Sequence, residues 1–206
     1  MIKANAYLTF FCFLFFFEVQ ADPKVHRIIS WGYFSEIIAE YCENRFKFYD
    51  IQKGQLYGDL FKLKIPRYVL VINNGSDQAY PLLTAFYMRY FGTGTIYYEE
   101  LSKKKDPRMK AAVHKLHLDH YFKTDKKDFL SEKKWDVLVL DSGLNEEKIG
   151  QIIKKYSPFL NERGLIWVDI SSWKEPSIVL NIEGFKPVLL SSFGDEITFK
   201  IFKKAH

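Results

Sequence analysis

Cysteine is nearly missing from this chain of 206 residues, and glycine and proline are sparse, at 11 and 7. Only Cys12 and Cys42 occur. Cys12 lies within the N-terminal apolar stretch, so loss of that stretch leaves Cys42 alone. An intramolecular disulfide is then excluded, and stability has to come from packing. Cys42, in an apolar helical pattern, reads as a small core residue. No arginine-rich stripe is present. The net charge of +5 comes from dispersed lysines with short clusters at 103–105 and 126–127, which excludes an evident nucleic-acid footprint. There is no internal repeat and no low-complexity segment. No run of apolar residues reaches the roughly 20 that a membrane-spanning helix needs.

One shorter run does exist. Leu8–Phe17 (LTFFCFLFFF) follows Lys3 and precedes Val19-Gln20-Ala21. A basic residue, an apolar stretch and small residues at cleavage spacing are the parts of a signal peptide. Residues 1–21 are therefore expected to direct export, secreted or periplasmic, with an uncleaved membrane anchor as the alternative. Asp22-Pro23 would open the mature chain, which is long enough for one domain with a sizeable core.

Candidate chemistry is also defined by what is incomplete. Ser76 follows Gly75 at a strand-to-helix turn, but Gly-x-Ser-x-Gly is absent and no nucleophile–His–acid set stands out. His114, His117, Asp119 and His120 cluster in sequence. Helical spacing pairs His114 with His117, and strand spacing pairs His117 with Asp119. No single register gathers all four, and neither Cys nor Glu joins them at zinc spacing, so no metal site is assigned. The many aromatic residues, among them Phe86, Tyr87, Tyr90, Tyr97 and Tyr98, fall mostly at core spacings.

What is present is a regular alternation of elements. Residues 28–46 carry a helical apolar stripe, whereas 48–63, broken by Gly54 and Gly58, reads as irregular. Tyr68–Ile72 (YVLVI) is a buried strand, and Gln78–Tyr90 is a helix with Leu82, Leu83, Phe86 and Tyr90 on one face. Gly92-Thr93-Gly94 ends that helix, and Thr95–Glu99 is a second strand. Residues 106–116 suit a helix with Pro107 in its first turn. His117–Phe122 suits a third, weaker strand. Trp135–Leu140 (WDVLVL) is a buried strand, Glu146–Tyr156 an amphipathic helix, Asn161–Gly164 a turn and Leu165–Ile170 a further strand. Lys186–Ser191 and Glu196–Phe202 flank Phe193-Gly194-Asp195 as a hairpin. Alternating strands and helices imply an α/β domain whose ligand crevice lies at the carboxyl ends of parallel strands. The divisions expected are 1–21 signal, 22–65 helical or irregular, and 66–206 α/β domain.

The order of these elements over roughly 66–202 resembles the class I S-adenosylmethionine-dependent methyltransferases, whose sheet ends in an antiparallel hairpin. Within that group, Thr124–Leu130 (TDKKDFL) and Trp135–Ser142 (WDVLVLDS) are similar to stretches of the spermidine-synthase-like branch. The resemblance implies a three-layer Rossmann-like sheet, mostly parallel, and S-adenosylmethionine or a related adenosyl compound as cofactor. It places Asn73, Gly75, Asp77 and Ala79 where the family carries an acidic residue and three alternating glycines. It implies that Glu99 accepts hydrogen bonds from ribose hydroxyls, that Asp125 contacts the adenine amino group, and that Asp141 stands at the catalytic crevice. A small-molecule acceptor would follow. Asp77 puts negative charge in the turn, which suits a cationic sulfonium and opposes a pyrophosphate. Two glycines fewer than the family pattern, behind an export signal, set up the alternative of a catalytically inactive binding or interaction module on the same fold.

Overall fold

A computed structural model describes residues 31–41, 58–59, 61–62, 64–74, 79–92, 94–102, 107–124, 134–141, 143–170, 182–193 and 196–205. Its centre is a seven-stranded sheet in the order β3-β2-β1-β4-β5-β7-β6. The strands are β1 (Tyr68–Asn73), β2 (Thr95–Glu100), β3 (Phe122–Lys123), β4 (Trp135–Leu140), β5 (Leu160–Asp169), β6 (Phe185–Phe193) and β7 (Glu196–Lys204). The pairs β1–β2, β1–β4, β2–β3 and β4–β5 are parallel, and β7 pairs antiparallel with both β5 and β6. The expected mostly parallel α/β sheet with a C-terminal antiparallel hairpin is therefore present.

The apolar runs explain the central strands. A parallel strand covered on both faces has no polar side, so β1 and β4 read as continuous rather than alternating hydrophobic segments. Val69–Ile72 and Val137–Leu140 are accordingly buried throughout. Helix α4 (Glu146–Tyr156) covers one face, burying Ile149, Ile152, Ile153 and Tyr156 against Leu70, Ile72, Tyr97, Leu138, Leu140, Ile166, Val168 and Phe202. It starts on the Asn145 side chain, which accepts from the Lys148 amide at 2.9 Å, and carries Glu146-Glu147 first and Lys154-Lys155 last, matching its dipole.

The other face is closed by α1 (Trp31–Tyr41), α2 (Ala79–Tyr90) and the segment around Phe61, through aromatic contacts. Phe34 lies 4.2 Å from Phe86 between ring centroids, and Phe61 sits edge-on to Trp167 at 5.4 Å. Residues 58, 59, 61, 62 and 64 are helical, not irregular, because burial of Phe61 outweighs the weak local pattern. Leu82, Leu83 and Phe86 face the core as expected, but Tyr90 is 51% exposed. No helix among the described residues is long and apolar enough to cross a membrane.

Two other expectations are corrected. The stretch 117–122 is not one strand: helix α3 (Pro107–Lys115) leads through His117 into a 3-10 turn at Asp119–Tyr121, and only Phe122–Lys123 pairs with β2. His117 takes φ 53°, its amide bonds to the His114 carbonyl and the Leu118 amide to that of Val113. That is a Schellman ending with a non-glycine residue in the left-handed position. Arg89 Nη1 adds bonds to the Leu116 and His117 carbonyls at 3.0 and 3.1 Å. Likewise 161–164 does not precede β5 but lies inside it. Leu160 pairs with Trp135 and Leu165 with Val137, so the four intervening residues bulge opposite Asp136 alone. Asp136 Oδ1 accepts from Asn161 Nδ2 at 2.7 Å across this bulge.

Candidate functional site at the carboxyl edge of the sheet

Strand order reverses between β1 and β4, and there the connections leaving the two strands diverge to opposite faces. The residues that end β1, β2 and β5 at this edge, and the one that follows β4, are polar. Asn73 ends β1, Glu99 and Glu100 end β2, Asp141 follows β4 and Asp169 ends β5. Asn73, Glu99, Asp141 and Asp169 are all buried. Four carboxyl groups and a carboxamide on neighbouring strands make an edge rich in acceptors. Its chemistry suits hydroxyl donors and a cationic centre, and disfavours a phosphate.

Each flank of β1 is tied down. The Asp141 amide bonds to the Ile72 carbonyl at 3.2 Å, and the Leu101 amide to the Asn73 carbonyl at 2.8 Å. Asp141 Oδ2 accepts the Asn74 amide at 3.3 Å, while Asn74 Nδ2 donates to the Gly143 carbonyl at 2.9 Å. Asn74, just after β1, and the residues leaving β4 thus hold each other at the carboxyl edge. Asp141 is only 1% exposed, and one of its oxygens supports this clamp.

Glu99 is placed differently from the rest. In β2 it stands opposite Ile72 and alternates with Tyr97, so it projects to the α4 face. There the Tyr156 hydroxyl donates to Glu99 Oε2. The Lys155 ammonium in turn donates to that hydroxyl at 2.7 Å and lies 4.5 Å from the Tyr156 ring centroid. Burial first, then the Glu99 carboxylate, hold the Tyr156 phenol well above its ordinary range, so it stays a donor. The neighbouring Glu100 faces the opposite side and accepts from Ser102 Oγ at 2.6 Å.

Of the residues singled out from the sequence, Asn73, Glu99 and Asp141 do come to one edge. Gly75, Asp77 and Asp125 lie outside the described residues. Ala79 begins α2, and Tyr80 next to it is 2% exposed. His114 Nδ1 and Asp119 Oδ2 are 3.5 Å apart on an exposed surface, and no three metal-ligating side chains gather among the described residues. Sequence reasoning did not single out Asp169, although the run Leu165–Ile170 carries it as its one charged residue. It gave Tyr156 no role beyond ending an amphipathic helix, and nothing local signals that it meets a carboxylate 57 residues away.

No protein-family model matches the sequence, and no curated protein matches it significantly. Solved structures do. The chain is similar to an O-methyltransferase from Bacillus cereus in complex with SAH, at 12% identity and TM-score 0.58, over 85% of this chain and 91% of that one. It is similar to the O-methyltransferase TomG from Streptomyces achromogenes, involved in tomaymycin synthesis and in complex with SAM, at 12% identity and TM-score 0.57, over 100% of each. A SAH-bound methyltransferase from Podospora anserina gives 15% identity and TM-score 0.52, over 100% of this chain and 97% of that one. At these identities the likeness is one of architecture, and the architecture of this chain is that of the Rossmann-like S-adenosylmethionine-dependent methyltransferases.

Proposed function

We propose that this chain is an S-adenosylmethionine-dependent transferase that moves a methyl group to a small-molecule acceptor. The observation that carries the reading is the acceptor-rich carboxyl edge at the point where strand order reverses, where Asn73, Glu99 and Asp141 stand at the ends of three neighbouring strands. A sulfonium supplies an already activated methyl group, so the protein's part is to bind, orient and exclude water. In this reading Asn73, Gly75, Asp77 and Asp125 hold the cofactor with Glu99, whose carboxylate takes the ribose hydroxyls. Asp141 positions the acceptor. The solved neighbours in complex with SAM or SAH support the cofactor class. The likeness of Trp135–Ser142 to the spermidine-synthase-like branch adds aminopropyl transfer as a finer variant, in which Asp141 would take a proton from an amine nucleophile.

A second reading has its own support. The Asn74 side chain bridges β1 and β4 across the crevice, Glu99 is already engaged by Tyr156, and two family glycines are Asp77 and Ala79. An exported, catalytically inactive protein of this fold, acting as a binding module, accounts for these together with the signal-like N-terminus. Titration calorimetry with S-adenosylmethionine and its decarboxylated form separates the two. The transferase reading expects heat in the micromolar to low-millimolar range, abolished by Glu99→Ala. Absence of heat and of any thermal shift at millimolar ligand would sink it and leave the binding module.

A further inference from the structure

We infer that the amino edge of the sheet docks on an anionic membrane surface, through lysine and arginine side chains set beside exposed aliphatic ones. The inference is independent of the transferase reading and concerns the end of the sheet opposite the candidate site.

The basic residues are dispersed in the sequence but gathered by the fold. Lys64 and Arg67 precede β1, Arg163 lies in the β5 bulge, Lys186 is second in β6, and Lys203 and Lys204 stand at the end of β7. Because β7 runs antiparallel to both neighbours, its end returns to the edge where β5 and β6 begin. Lys64 Nζ donates to the Arg163 carbonyl at 2.7 Å, which ties the segment before β1 to that bulge. Lys203 pairs with Leu165, two residues past Arg163, and on its other side with Lys186. Arg67, Arg163 and Lys186 are exposed, and the other three are half-buried, with stems along the surface and heads at the water. None of them is in an ion pair among the described residues. The exposed acids beside them are Glu162 and Glu183, while Asp136 is turned onto the Arg67 and Tyr68 amides and Asn161. Like charges directly opposite on neighbouring strands oppose each other, so Lys186 facing Lys203 is a cost to the isolated fold that an anionic surface removes.

The apolar side chains beside these bases select the kind of surface. Ile65 is 53% and Val188 57% exposed, the two most exposed large apolar side chains among the described residues. Ile65 stands between Lys64 and Arg67 in the chain, and Val188 follows Lys186 by two residues on the outermost strand. Ile65 also takes φ 43°, where its amide closes the helical segment on the Phe61 carbonyl at 2.7 Å. A β-branched residue enters that region only at a cost in strain. Neither solvation nor core packing rewards an isoleucine there, whereas insertion among acyl chains does, with flanking bases drawn to anionic headgroups. Single-stranded nucleic acid is held instead by aromatic side chains on which bases stack, and Ile65 and Val188 are aliphatic. Docking by this edge turns the carboxylates at the other edge away from the bilayer, where like charge would repel them.

The test is co-sedimentation of the full chain with vesicles of phosphatidylcholine alone and of phosphatidylcholine with about one-third phosphatidylserine. Every variant keeps the same N-terminal apolar stretch, so its contribution cancels between variants. We expect tighter binding to the phosphatidylserine vesicles, with the excess falling as salt rises. The double variant Lys186→Gln/Lys203→Gln should lose about tenfold of that binding. Lys110→Gln/Lys148→Gln, the same charge change on α3 and α4, should lose about twofold or less. Ile65→Asn suits the left-handed backbone, so it should bind both vesicle types about threefold more weakly while melting no lower than the wild type. Equal binding to the two vesicle types, equal effects of the two lysine pairs, or unchanged binding in Ile65→Asn overturns the inference. Tighter binding to a DNA oligonucleotide than to the vesicles at the same salt, lost in Lys186→Gln/Lys203→Gln, overturns it in favour of a nucleic acid.

Discussion

Asp141 offers the sharpest test of what the carboxyl edge does, because its structural and chemical roles make separate demands on one side chain. Replacing it with alanine removes the acceptor of the Asn74 amide and leaves that N–H, part-buried, to find another partner. A hydrogen bond to a charged acceptor contributes about 1.5–3 kcal/mol. At 3.3 Å this one belongs at the low end, so a cost of about 1.5 kcal/mol is expected before any loss of packing. For a domain of this size that lowers the melting temperature by roughly 3–6 °C. Asp141→Asn keeps a carbonyl-type oxygen at the same place and should recover most of the loss. The assay is urea unfolding of the three proteins, with unchanged slopes and shifted midpoints showing that stability alone has moved. If Asp141→Ala unfolds at the wild-type midpoint, Asp141 does not hold the turn. If Asp141→Asn is as stable as the wild type yet loses transferase activity, the carboxylate has a chemical role beyond the clamp.

Other expectations follow from local geometry. Gly94 has φ 96°, and a Cβ there would come within 2.9 Å of the Arg67 carbonyl oxygen and 2.3 Å of Met88 Sδ, so Gly94→Ala should cost about 3 kcal/mol through strain and overpacking. Gly150, exposed within α4 with nothing near its missing Cβ, should instead gain about 0.5–1 kcal/mol on replacement by alanine; melting temperatures moving the same way in both would refute the contrast. Burial holds the Lys200 ammonium below the ordinary lysine pKa, with Glu146 partly offsetting it. The folded state therefore bears the cost of the charge at neutral pH and is relieved as pH climbs toward the unfolded-chain value. Lys200→Met should raise stability at pH 7, and its advantage should shrink toward about pH 10; an advantage that grows with pH would reverse the assignment.

Most of the sheet was legible because burial on both faces writes itself as apolar runs, and β1, β4 and α4 were read to within a residue or so. The stretch 161–164 reads from its residue types as a turn before β5, but a bulge uses the same residue types without ending the strand, and here it lies inside β5. At 117–122 the local pattern suited a strand, while the decisive feature was a histidine in the left-handed region, which composition does not advertise. Placement of Asn73, Glu99 and Asp141 at one edge followed from topology. The partner of Glu99 did not, because Tyr156 sits at a core position of α4 and meets the carboxylate only through the packing of that helix on the sheet.

The run WDVLVLD has one more consequence. Asp136 Oδ2 accepts the amides of Arg67 and Tyr68 at 2.8 and 3.1 Å, just as Asp141 takes that of Asn74. A slip of β1 against β4 by two residues would return every side chain to its own face, so alternation is blind to it, and two uniformly apolar strands discriminate even less. The aspartates are not blind to it. After such a slip neither carboxylate would meet the backbone amide it now holds. Alignment of the two innermost strands is thus written in a pair of charges at their ends, and the apolar residues between them are free to vary in everything but bulk.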